Sequence, residues 1–69
     1  MSISARNKLK GKVSNIVIGD IMAEITIQVG QNIIDAVITR RSAEELKLKE
    51  GDTVVAVIKA TEVMVSKEN

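Results

Sequence analysis

Ser4, Arg6 and Asn7 place a hydroxyl, a guanidinium and an amide within four consecutive residues, with only Ala5 between them. A guanidinium is a planar fork that suits tetrahedral oxyanions. Near the other end, "IKATE" puts Lys59 after an apolar run, followed by small Ala60 and Thr61. Small residues let backbone N–H groups approach a ligand. Between these stretches, "TRRS" (39–42) offers Thr39, Ser42 and the first N–H groups of a helix, an arrangement that favours anions. Three donor-rich segments in a chain with little other chemistry point to an oxyanion site. Each residue also has a plainer reading. Arg6 could be a surface cation, and Lys59 could snorkel to water. Ser42 is explained as a helix N-cap, Thr39 as a strand-end residue, and Arg40 and Arg41 as solvated side chains. Met22 and Met64 read as core filler.

Other chemistries fare worse. The chain has no His and no Cys, so it lacks the usual bases, nucleophiles and soft metal ligands. The reading is a non-enzyme with no metal ligated directly by side chains. Glu24, Asp35, Glu44, Glu45, Glu50 and Glu62 are spaced as solvated faces and form no acid–base pair. No phosphate-cradling GxxxxGK loop is present. Single-strand binding on small barrels relies on aromatic stacking, and this chain has no Phe, Tyr or Trp. The same lack weakens any site for a flat organic heterocycle. Ten Lys+Arg stand against nine Asp+Glu, too even a balance for a nucleic-acid footprint. Apolar runs fall far short of the roughly 20 residues that span a bilayer, and no signal peptide is visible. The expectation is a soluble cytoplasmic protein.

The elements that must position these residues are mostly strands. "KVSNIVI" runs from Gly11 to a tight turn at Gly19–Asp20. "AEITIQV" alternates, with Ile25, Ile27 and Val29 on one face and Glu24, Thr26 and Gln28 on the other. After a turn at "GQN", "IIDAVIT" sets Ile34, Ala36 and Ile38 against Asp35 and Thr39. "SAEELKLKEGD" then changes period. Ser42 with Glu45 has capping-box spacing, and Glu44 and Glu45 fall in the predicted first turn. "DTVVAVIK" is a strand apolar on both faces, and "EVMVS" is a final strand. Three strands, a short helix and two strands predict an all-β fold: a small five-stranded OB-type barrel with one short helix between strands three and four. A small barrel of different topology competes. The length allows one domain over residues 1–69. So short a core, without disulfides, needs a further staple, and the two-sided strand at 53–58 predicts a homo-oligomer.

"SARNKLKGKV" (4–13), "ITRRSAEELKLKEGDTV" (38–54) and "VIKATEVMV" (57–65) together resemble the molbindin, or Mop, family over nearly the whole chain. The resemblance implies an OB-type fold and a cytoplasmic role in molybdate storage and homeostasis. It implies a hexamer, a trimer of dimers, with molybdate or tungstate held between subunits and no organic cofactor. It assigns the anion to Ser4, Arg6, Lys59 and the backbone N–H of Ala60. Thr39 and Ser42 contribute as well, with backbone help from Ala5. Two alternatives stand beside it: an OB-type nucleic-acid binder and a purely structural oligomerisation module. A sensing domain cut from a transporter or regulator fits poorly with a start at Met1.

Overall fold

The computed structural model describes residues 6–68; Ser4 and Ala5 lie outside the described residues. β1 (Asn7–Ile18), β2 (Met22–Val29) and β3 (Asn32–Thr39) follow one another as antiparallel neighbours. α1 (Arg40–Glu45) comes next, and β4 (Thr53–Ile58) returns to pair antiparallel with β1. The sheet has four strands in the order β3-β2-β1-β4.

The predicted alternation holds strand by strand. Ile25 and Ile27 of β2 are buried while Glu24 is exposed. Ile34, Ala36 and Ile38 of β3 are half-buried, with Asp35 and Thr39 exposed between and after them. Gly30 (φ +59°) and Gln31 form the two-residue turn between the paired Val29 and Asn32. A positive φ at that position is what such hairpins require.

β1 begins at Asn7, four residues before the expected start at Gly11. The polar segment 7–12 has little strand signal of its own. It is extended because β4 supplies a ladder, from Asn7↔Ile58 to Lys12↔Thr53. Lys12 pairs with both β4 and β2; beyond it β1 pairs with β2, and a register shift between Val13 and Asn15 marks the bend. Val13 also exchanges backbone hydrogen bonds with Gly51 and Asp52, at 2.8 and 2.9 Å. Gly11 lies at the crossover. A Cβ there would run into the Gln28 carbonyl oxygen and sit 2.9 Å from methyl groups of Ile27 and Val29.

The helix starts earlier than predicted. Its N-cap is Thr39, not Ser42, and no acid lies in its first turn. The Arg40 N–H donates to the Ile21 carbonyl at 2.7 Å, a tie to the β1–β2 connection that fixes the first residue of α1. Glu44 and Glu45 therefore fall in the last turn, where they pair with Arg40 (3.1 Å) and Arg41 (3.9 Å). The helix ends in a Schellman arrangement. The Leu48 N–H donates to the Ala43 carbonyl and the Lys47 N–H to that of Glu44, with Lys47 at φ +53°.

Val13, Ala23, Ile25, Ile27, Ala43 and Ala56 form the buried core. That core is open on one side. Ile34 and Ile38 of β3 face Val54 and Ile58 of β4 across a groove of about 510 Å³. The predicted final strand over 62–66 is not a strand in this chain. Ala60–Glu62 form a single 3₁₀ turn, and Met64 and Val65 are more than nine-tenths exposed. A β-branched run forms a strand only where a ladder partner is offered, and none is offered among the described residues.

Candidate functional site

The β1–β4 ladder brings the first donor group together. Asn7 pairs with Ile58 in register, and its side-chain Nδ2 donates to the Ile58 carbonyl at 3.2 Å. Arg6 and Lys59 are the residues next beyond this pair along the two strands of the ladder, so a cation follows each end. Both are exposed. Among the described residues, no carboxylate pairs with either. Like charges brought near one another repel, a penalty that a bound anion would offset. Lys59 is extended (φ −64°, ψ +139°) and caps the 3₁₀ turn that opens at Ala60. The Glu62 N–H closes that turn on the Lys59 carbonyl at 2.9 Å. Ala60 follows the cation directly, at the start of the turn.

The second group is built by the β3–α1 junction. Thr39 Oγ1 accepts from the Ser42 N–H at 3.0 Å and donates to Ser42 Oγ at 2.8 Å. The Thr39 proton is thereby used within the pair, and the Ser42 hydroxyl keeps its own proton to give away. Ser42 is half-buried and Thr39 exposed. Arg40 and Arg41 line the neighbouring cleft with Asp20 and Ile21, and both are matched by the helix's own carboxylates. Their exposure agrees with their assignment to solvent.

These two groups sit at opposite ends of β1. Arg6 precedes its first residue. Thr39 pairs with Met22, one step beyond the Ile18↔Ala23 pair at its last. β1 is 12 residues long, about 35 Å of extended chain. The cleft beside Thr39 contains neither Arg6 nor Lys59. A single chain thus presents half of the donor set at each end. Sequence reasoning missed Asn7 as the side chain that ties the first group, although its place inside "SARN" was a signal. It also missed Thr39 as the cap. Among the described residues, no cluster of carboxylates could hold a metal ion.

A family model described as the TOBE domain matches residues 3–65. The molybdenum-pterin-binding protein 1 of Clostridium pasteurianum is 52% identical over 66 residues, covering 94% of this chain and 97% of that one. Among solved structures, a molybdate-binding protein from Sporomusa ovata superposes with a TM-score of 0.93 at 45% identity, covering 97% of this chain and all of the other. The cytoplasmic molybdate-binding protein ModG, in a form with molybdate bound, gives 0.82 at 48% identity over 87% of this chain and 43% of its own. With identity near one half along nearly the full length and the same backbone path, the chain belongs to the TOBE domain family, among the molbindins.

Proposed function

We propose that this chain binds molybdate or tungstate by hydrogen bonds, at sites shared between subunits of a homo-hexamer, and serves as a cytoplasmic store. The observation that carries this reading is the split donor set. Arg6, Lys59 and Ala60 end the β1–β4 ladder, while Thr39 and Ser42 lie at the far end of β1. A complete anion shell then needs the first group of one subunit against the second group of another, with Ser4 and Ala5 joining from the segment before β1. The names of the relatives agree, since they are molybdate-binding or molybdenum-pterin-binding proteins. No organic cofactor is required, for no aromatic is present to stack on one. The whole chain, 1–69, acts as one non-catalytic binding domain.

The same reading completes the fold. In an OB-type barrel a fifth strand lies between the third and the fourth. Here the groove between β3 and β4 is open and lined by Ile34, Ile38, Val54 and Ile58. Residues 62–66 carry Val63, Met64 and Val65 exposed. In the assembly these residues supply the missing strand.

Calorimetric titration tests the function. Molybdate added to the protein should release or absorb heat with saturable stoichiometry. No heat at any concentration would reduce the chain to a structural oligomerisation module. Affinity for single-stranded oligonucleotides that falls steeply with salt would favour the nucleic-acid reading instead.

A further inference from the structure

The charged residues of the strands are sorted by sign. β1 carries Lys8, Lys10 and Lys12 and no acid; β2 and β3 carry Glu24 and Asp35 and no base; β4 carries no charge. None of these five residues takes part in an ion pair among the described residues, where every ion pair lies in α1 or the loop after it. The ladders place them on two flanks of the curled sheet. Lys8 lies opposite Val57, Lys10 opposite Val55 and Lys12 opposite Thr53, so the lysines share an outward face with two valines about half exposed. On the other flank Glu24 sits between Val17 and Val37, and Asp35 lies opposite Thr26. Val17 and Val37 there are 54% and 63% exposed; Lys12 also pairs with Gln28 of β2, so it stands where the two flanks meet.

We infer that the lysine flank of β1–β4 docks on the carboxylate flank of β2–β3 in a second copy of this chain. Each flank pairs exposed aliphatic side chains with charges of one sign, and the signs are opposite. The spacings match. Lysines two residues apart along a strand stand about 6.7 Å apart. Glu24 and Asp35 are diagonal neighbours across β2 and β3, about 7–8 Å apart. The Thr26 hydroxyl donates to Asp35 Oδ1 at 3.0 Å and holds that carboxylate in place. Because the two flanks are different surfaces, the contact is head-to-tail, the kind that builds rings. The inference rests on the assembly in the proposed function and deepens it; it does not depend on the anion, because none of these residues belongs to the donor set.

Charge reversal tests it, read by native mass spectrometry and sedimentation on the full chain. Lys8→Glu with Lys10→Glu makes both flanks acidic. Glu24→Lys with Asp35→Lys makes both basic. Each double variant should assemble at least about tenfold more weakly than the natural chain, since like charges now meet. The two mixed at equal amounts should associate with each other, which also shows that both are folded. All four changes in one chain should restore assembly. Unchanged assembly of both doubles, no mixed association, or a fourfold variant as weak as the doubles would overturn the contact. So would a lysine variant that keeps its full mass but loses binding to a single-stranded oligonucleotide, because the flank would then serve a polyanion. If the natural chain is itself a monomer, the assembly of the proposed function fails first, and this contact with it.

Discussion

Arg6 and Lys59 each adjoin the Asn7↔Ile58 pair that ends the β1–β4 ladder. Charge-assisted bonds to a dianion would make each of them worth about 1.5–3 kcal/mol of binding. Arg6→Ala and Lys59→Ala should each weaken molybdate binding by that amount in calorimetry. Arg41→Ala should change it little, since that guanidinium is exposed and faces Glu45. Selectivity follows from the same donors. Arg6, Lys59, the Ser42 hydroxyl and the backbone N–H groups give hydrogen bonds; Thr39 spends its own proton on Ser42, whose hydroxyl has one left over. Hydrogen phosphate brings a proton that such a shell leaves unpaired, costing about 1–3 kcal/mol. Sulfate brings none and is penalised only by its smaller size. In competition against bound molybdate at fixed ionic strength, tungstate should displace best, then sulfate, then phosphate. Phosphate ahead of sulfate would bring a carboxylate into the site. Residue type was legible in the sequence for Arg6, Lys59, Thr39 and Ser42. Their division between two ends of β1 was not, because it depends on ladder registers that join residues some fifty positions apart.

Elements that bury one face were readable from their period. β2 and β3 alternate because one side meets the core and the other does not, so Ile25, Ile27 and Ile34 point where the pattern says. What failed to show in the sequence was decided by distant partners. The first residues of β1 are extended because β4 lies beside them, and α1 starts at Arg40 because Ile21 accepts its N–H. The 62–66 segment has strand composition but no ladder among the described residues. Gly11→Ala should destabilise by about 1–3 kcal/mol or more, because the neighbour its Cβ meets is the Gln28 backbone, which cannot turn aside as a side chain can. Lys47 closes α1 at φ +53°, a conformation that suits glycine. Lys47→Gly should therefore raise stability by up to about 1 kcal/mol. Denaturation midpoints at one fixed protein concentration check both, since assembly adds to apparent stability.

Taken as a whole, the isolated chain leaves apolar surface uncovered. Among the described residues it has six buried side chains, an apolar groove between β3 and β4, and outward aliphatic residues on both flanks of the sheet. It contains no disulfide and no His or Cys for a structural metal. A second copy can meet each of these needs, and it can also bring Thr39 and Ser42 toward an Arg6–Lys59 pair. Assembly and anion binding are thus one property in this account. The most direct measurement is native mass spectrometry of the protein with and without molybdate, which reads subunit number and bound anions in the same spectrum. The protein should be a hexamer that takes up molybdate in whole numbers, with no anion carried by any monomer released from it. A monomer that binds molybdate alone, or a hexamer that binds none, would contradict it.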